Sequence, residues 1–208
     1  MKDLNSIKSD LVSMAEGAFK MLELTHKAFM EHDTGLISAA LSEEDNLNAM
    51  EKSITTELID LARGCARKEE RVASTILADV VADLEIIGDY CKDILERVQI
   101  KIEEKLLFSD EAVKEYNDLY GPTREALKEV VNALDKDDLS LVKNVLKNEE
   151  HIDQLVDRLR QSHNQRLLEG VCSPIACNMF LNMLDFTAAI YYHAKKIARG
   201  LLKVKKAK

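Results

Sequence analysis

The 208-residue sequence predicts an all-α protein of six helices, arranged as two tandem antiparallel three-helix bundles. Composition, an internal repeat and the spacing of apolar residues support this prediction. The chain contains only seven Gly and two Pro residues, while Ala, Leu, Glu and Lys are abundant. Because Gly and Pro disfavour helix interiors and the abundant residues lose little conformational freedom there, the composition favours helices throughout. Short connections between consecutive helices predict antiparallel neighbours.

The second half of the chain repeats the first. Segment 36–44 aligns with segment 141–149, about 105 residues later, with apolar and acidic positions in register. Segment 82–94 aligns in the same way with segment 185–197. A period near half the chain length indicates duplication of one supersecondary unit. We therefore expect a first repeat at residues 1–107 and a second repeat at residues 108–208.

The individual helices follow from apolar residues spaced three and four apart and from the breakers between them. The predicted helices cover about 4–31, 36–63, 70–107, 110–135, 139–168 and 174 onwards. Ser109 is expected to cap the fourth helix, since its hydroxyl can accept from a free amide hydrogen. Pro122 should kink that helix by removing one hydrogen bond. Gly170 is expected to close the fifth helix and Pro174 to open the sixth.

The net charge of −8 argues against nucleic-acid binding and favours cations as ligands. The basic segment 195–208 is a local exception, which fits either a favourable helix C-terminus or contact with an anionic lipid or acidic partner. The cysteines at positions 65, 91, 172 and 177 lack the C-x-x-C spacing of zinc or redox sites. Reduced, mostly buried thiols in a cytosolic protein are therefore expected.

Three acids line one face of the third predicted helix. Glu85, Asp89 and Asp93 are spaced four residues apart, and such a row of like charges destabilises a helix unless positive charge neutralises it. On the second helix, Glu44 and Glu51 bracket Asn48. The duplicate carries Glu149, Asp153 and Asp157 at matching positions.

Two explanations of these acids remain open from spacing alone. Carboxylates converging from adjacent helices suit cations that prefer oxygen ligands, namely Mg²⁺, Mn²⁺, Ca²⁺ or iron. Alternatively, the acids form a solvated face with basic neighbours such as Lys92 and Arg97.

Two motifs resemble those of the PhoU family. The segment 83–94, D-L-E-I-I-G-D-Y-C-K-D-I, resembles the family's helix-three signature, and the segment 47–51, L-N-A-M-E, resembles its second-helix element. The resemblance covers nearly the whole chain and both repeats. Segments 108–112 and 158–173 look most like the PhoU-like cytoplasmic domains of bacterial Na⁺/phosphate cotransporters.

The resemblance implies a non-catalytic regulator of phosphate uptake or phosphate signalling, which docks a phosphate transporter or its sensor kinase. It also implies a cytoplasmic location, and it leaves open a position at the inner face of the plasma membrane, peripheral membrane association and a homodimer. No nucleic-acid partner and no organic cofactor are expected.

The family's acidic motifs bind metal clusters, and the metal expected here is iron, manganese, magnesium or zinc. Carried across by position, the ligand residues are Glu44, Asn48 (where the family has Asp), Glu85, Asp89 and Asp93 in the first repeat, with Glu149 and Asp153 in the second.

The sixth predicted helix departs from the family pattern. Ala188, Tyr192 and Lys196 stand where the family has Glu, Asp and Asn. Because Ala and Lys cannot ligate a cation, we expect the second metal site to be lost. Only one Glu-x-x-His element is present, at 23–26, and no phosphate-binding loop or catalytic triad is recognisable, so an enzyme is not expected. The alternative function is a generic helical scaffold or dimerisation module with a solvated acidic face and no metal.

Overall fold

The computed structural model describes residues 4–147 and 149–206, and the regular secondary structure of these residues is entirely helical. They form seven helical segments: α1 (Leu4–Glu31), α2 (Thr34–Gly64), α3 (Lys68–Glu103), α4 (Asp110–Lys136), α5 (Leu139–Lys147), α6 (Glu149–Leu168) and α7 (Pro174–Lys206). Only residue 148 separates α5 from α6, and together these two segments occupy the predicted fifth helix. The predicted all-α fold of six helices is therefore confirmed.

Local sequence signals account for several of the helix ends. The Ser109 hydroxyl accepts a hydrogen bond from the Ala112 amide at 3.2 Å, which is the predicted cap of α4. Gly170 adopts a positive φ of 71°, a conformation that costs glycine little, and so ends α6. Pro174 is the first residue of α7, as predicted. Helix α4 continues without interruption through Pro122.

Helices α3 and α7 lie antiparallel along each other and share the most extensive helix–helix interface in the described part of the chain. Tyr90 meets Phe186 near one end, and Gly200 packs on Val80 near the other. Helices α1 and α2 cover α3 on one side, whereas α4, α5 and α6 pack around α7. The buried apolar residues form one cluster that spans both halves. The repeat boundary at 107/108 lies in the loop between α3 and α4 and stays a prediction.

A close approach of α2 to α3 determines where the acids of these helices lie. The Leu47 side chain, 1% exposed, fits between two glycines of neighbouring helices. A Cβ atom added at Gly88 would lie 2.9 Å from Leu47 Cδ1, and one added at Gly17 would lie 3.4 Å from Leu47 Cδ2. Since Gly88 lies between Glu85 and Asp89 in the sequence, the close approach brings both acids towards α2.

The segment 171–194 carries one charged residue, Asp185. None of the helices in the described ranges is both long and apolar enough to cross a bilayer.

Candidate functional site

The first half carries an acidic face formed by α2 and α3, and it comprises Glu44, Asn48, Glu51, Glu85 and Asp89. Glu44 is buried, with 5% of its surface exposed. Its Oε1 atom accepts hydrogen bonds from Asn48 Nδ2 at 2.9 Å and from Lys92 Nζ at 3.0 Å. Asn48 therefore binds the carboxylate one turn before it, and Lys92 joins α3 to α2 by an ion pair.

Electrostatic repulsion acts within the acidic face. Burial raises the pKa of the Glu85 carboxyl above its ordinary value, and the negative charges of Asp89, Glu51 and Glu44 raise it further. In the opposite sense, the hydrogen bond to Glu44 raises the pKa of Lys92 and keeps this ammonium group charged. The face thus combines four mutually repelling carboxylates with one resident positive charge.

Asp93 has a different environment from the other predicted ligands. Burial and the charge of Glu96 raise the pKa of Asp93, while Arg97 lowers it. Asp89 of the acidic face and Lys92, the partner of Glu44, also influence this pKa. The structure therefore brings Glu85 within electrostatic range of Glu44, Glu51 and Asp89 and places Asp93 next to this face.

In the second half, two acids have partners within the protein, namely Asp153, which is aligned with Asn48, and Asp185. The Tyr192 hydroxyl donates a hydrogen bond to Asp153, and Arg160 forms an ion pair with Asp185. These side chains line a groove of about 530 Å³ together with Ala188. The side chain of the remaining predicted ligand, Glu149, lies outside the described residues.

Lys196 crosses the central interface and binds a residue that sequence reasoning did not select. Its Nζ atom lies 2.8 Å from Asp83 Oδ1, and His193 Nδ1 lies 2.9 Å from the same oxygen. Asp83 is 2% exposed, so this carboxylate is buried beside an ammonium group and an imidazole. Asp83 is the first residue of the quoted helix-three motif, but only the pairing of α3 with α7 reveals its role.

The cysteines differ from expectation. Cys172 and Cys177 form a disulfide across the α6–α7 connection, so the prediction of reduced thiols is wrong for this pair. Cys65 and Cys91 are free, and burial raises the pKa of the Cys91 thiol to about 12. The Cys-x₄-Cys spacing brings the two sulfurs together because Cys172 precedes α7 and Cys177 lies in its first turn.

The fold and the acidic face define a class of helical-bundle proteins that carry related acidic motifs in their two halves. A family model described as "PhoU domain" matches residues 11–98, which cover α2 and most of α1 and α3. The first half of the chain therefore contains a PhoU domain.

Individual relatives extend the similarity to the full chain. The "Phosphate-specific transport system accessory protein PhoU homolog 1" of Thermotoga maritima is 23% identical over 209 aligned residues, covering 100% of this chain and 89% of the relative.

Solved structures support the fold. The crystal structure of PhoU from Pseudomonas aeruginosa has a TM-score of 0.91 at 19% identity and covers 99% of this chain and 98% of that chain. PhoU from Streptococcus pneumoniae has a TM-score of 0.86 at 13% identity and covers 99% and 96% respectively. The resemblance to cotransporter domains stays a prediction.

Proposed function

We propose that this chain is a non-catalytic regulator of phosphate transport that docks a phosphate transporter or its sensor kinase at the cytoplasmic face of the membrane. The observation that carries the proposal is the full-length similarity to a phosphate transport accessory protein, together with the PhoU family match. The PhoU domain supports the general role in phosphate transport. The identity of the partner, dimerisation and membrane association are finer parts of the proposal.

Phosphate uptake in the native host tests the regulatory role. Deletion of the gene should change the rate of labelled phosphate uptake or its response to phosphate starvation, and the intact gene should restore it. Crosslinking in intact cells should recover a phosphate transporter subunit or a phosphate-sensing kinase. Unchanged uptake together with recovery of unrelated proteins only would refute the role.

We also propose that the acidic face binds a divalent cation, whereas the second half does not. The raised pKa of Glu85, caused by burial and by three neighbouring carboxylates, supports a local excess of negative charge that a cation would neutralise. Iron, manganese, magnesium and zinc remain the candidates. Glu44, Glu85 and Asp89 would supply oxygen ligands, and Asn48 would supply an amide oxygen after releasing Glu44.

A specific contact favours the alternative of a helical scaffold with a solvated acidic face. The Lys92 ammonium group forms an ion pair with the buried Glu44 carboxylate, so part of the negative charge is already neutralised within the protein. If this ion pair and water suffice, no cation is needed.

The paired change Glu85→Gln and Asp89→Asn separates the two alternatives. If a cation binds, Mn²⁺ should raise the melting temperature of the native chain but not that of the variant. If the face is only solvated, Mn²⁺ should affect both equally, and the variant should be more stable by about 0.2–0.5 kcal/mol because repulsion is relieved. Asp118→Asn, which changes an exposed acid on α4, is the matched control for loss of charge.

A further inference from the structure

Outside the acidic face, three side chains with soft ligand atoms converge where α6 turns into α7. One ligand atom from each of His163, Cys172 and Cys177 lies within 4.8 Å of the other two. Among the side chains that the structure describes, no other group of three or more His, Cys, Asp or Glu residues meets this distance. His163 and Cys177 are buried, with exposed fractions of 2% and 1%.

The local backbone favours thiolate anions at this position. Ser173 caps α7, since its hydroxyl accepts from the Ala176 amide at 3.2 Å and its carbonyl accepts from the Cys177 amide at 2.9 Å. The two cysteines therefore flank the N-terminus of a long helix, where the partial positive charge of free amide groups stabilises a thiolate.

The hydrogen-bond partners of His163 indicate a neutral imidazole, because the Cys177 carbonyl oxygen accepts from Nε2 and the Arg166 guanidinium group donates to Nδ1. Burial lowers its pKa, and the nearby Arg166 charge lowers it further, although the bond to Cys177 opposes this. One ring nitrogen lies 3.0 Å from the Cys177 carbonyl oxygen and the other lies 3.1 Å from Arg166. Metal ligation would replace one of these hydrogen bonds, and the other would keep the ring oriented.

The charge balance also suits a cation. Arg166 is paired with the buried Glu115 carboxylate, so this neighbouring pair contributes no net charge. Two thiolates and one neutral imidazole neutralise a divalent ion completely, which matters in a buried site. Thiolate and imidazole donors together select Zn²⁺ over Mg²⁺ or Ca²⁺.

We propose that His163, Cys172 and Cys177 form a redox-gated site for one Zn²⁺ ion, available only when the disulfide is reduced. A dithiol reductant transfers two electrons, breaks the S–S bond and becomes a disulfide itself, leaving two thiols on the protein. Zn²⁺ then binds both sulfurs, two protons are released, and water completes the tetrahedral coordination. In the reverse step, a disulfide oxidant accepts two electrons from the two thiolates and takes up two protons to become a dithiol, while the Cys172–Cys177 bond forms again and the ion is released.

Cobalt substitution tests the proposal directly. The protein is treated with a chelator, reduced with a phosphine, and titrated with Co²⁺ under argon. We expect thiolate-to-cobalt charge-transfer absorption that saturates at one ion per chain and is displaced by Zn²⁺. The disulfide form should show none of this absorption. The acidic face cannot produce this signal, because it contains no sulfur ligand, so the result is independent of the function proposed above.

Variants and thiol protection complete the test. Cys172→Ser and Cys177→Ser should each abolish the charge-transfer band, and His163→Gln should weaken binding. Cys65→Ser, which removes a free cysteine outside the cluster, should leave it unchanged. In the unaltered reduced chain, Zn²⁺ should protect two thiols from alkylation, a measurement that needs no substitution. Absence of both the charge-transfer band and this protection, or a band that persists in both Ser variants, would overturn the proposal.

Discussion

The two halves of the molecule place different side chains at aligned positions. In α3, Glu85 and Asp89 repel each other and the acids of α2, and one lysine from the same helix offsets part of the charge. In α7, Ala188 and Tyr192 occupy the aligned positions, and the Tyr192 hydroxyl binds Asp153. Glu85 in the first half thus lies among three other carboxylates, whereas the Asp153 carboxylate in the second half accepts a hydrogen bond.

The two halves also differ in the contacts that hold their helices together. The first half uses an apolar contact, Leu47 packed against Gly88 and Gly17. The second half uses a buried ion pair, in which Arg166 on α6 binds Glu115 on α4 and also the Ser162 hydroxyl. In the first half, the apolar contact and the Lys92–Glu44 ion pair together join α2 to α3, and neither Glu85 nor Asp89 takes part in that ion pair.

The largest expected loss of stability comes from a substitution in the second half. Arg166→Met leaves the buried Glu115 carboxylate without its partner and should lower the free energy of unfolding by about 3–5 kcal/mol. Denaturation with urea, followed by circular dichroism, measures the loss. Arg160→Met, which removes an exposed ion pair with Asp185, should cost about 0–1 kcal/mol.

The double variant Glu115→Leu with Arg166→Met sharpens this prediction. Removing both charges should recover most of the stability, because no unpaired ion remains. A double variant as unstable as Arg166→Met alone would show that the loss comes from packing rather than charge.

A change in the apolar contact tests the first half. Leu47→Ala should lower the free energy of unfolding by about 2–5 kcal/mol, because it opens a cavity between three helices. It should also weaken cation binding, since the relative position of α2 and α3 is no longer fixed. Ile59→Ala, at a position on α2 that is 43% exposed, is the control and should have a much smaller effect. Equal losses in the two variants would contradict the role of Leu47.

The pH dependence of stability should have opposite signs in the two halves. Burial and neighbouring acids raise the folded-state pKa of Glu85 above its unfolded value of 4.5. The ionised carboxylate therefore destabilises the folded state, and this destabilisation disappears as pH falls through the folded-state pKa towards 4.5. Burial raises the pKa of Glu115, but bonds from Arg166 and Ser162 outweigh this and leave it below its ordinary value. Its contribution is therefore present above 4.5 and is lost as pH falls through the folded-state pKa.

Unfolding free energies measured against pH in the presence of a chelator check both signs. Glu85→Gln should flatten the curve above pH 4.5, and Glu115→Gln should flatten it below pH 4.5. If both variants alter the same pH range, the proposed difference between the halves is wrong.

The smallest expected loss of stability comes from removing the hydroxyl of Tyr192, which stands where the family has Asp. Tyr192→Phe removes the hydrogen bond to Asp153 at a position that is 38% exposed, and it should cost less than about 1 kcal/mol. A double-mutant cycle with Asp153→Asn measures the coupling between the two side chains. A coupling energy of zero would show that the hydrogen bond from Tyr192 does not stabilise the Asp153 carboxylate.

Much of this structure could be predicted from the sequence because helical signals are local. The first predicted helix, 4–31, matches α1, and Ser109 and Pro174 mark helix starts as expected. The absence of carboxylates at Ala188 and Tyr192 could also be predicted, because it follows directly from the alignment of these positions with Glu85 and Asp89. The predicted third helix, to about 107, was longer than α3, which ends at Glu103.

The remaining features depend on contacts between distant parts of the chain. Asp83 meets Lys196 across 113 residues, and Glu115 meets Arg166 across 51. No local pattern identifies these pairs, because each charged residue looks like an ordinary surface position of its own helix. The Cys172–Cys177 pair is close in sequence, but its spacing differs from the C-x-x-C spacing of zinc and redox motifs.

The most direct test is a calorimetric titration of the chelator-treated disulfide form with Mn²⁺, comparing three chains. The disulfide keeps the cysteine site out of the measurement. The unaltered chain should bind through one class of site, the Glu85→Gln and Asp89→Asn variant should lose that binding, and Asp153→Asn should retain it. Binding that survives in the first variant, or is abolished in Asp153→Asn, would contradict a cation site confined to α2 and α3.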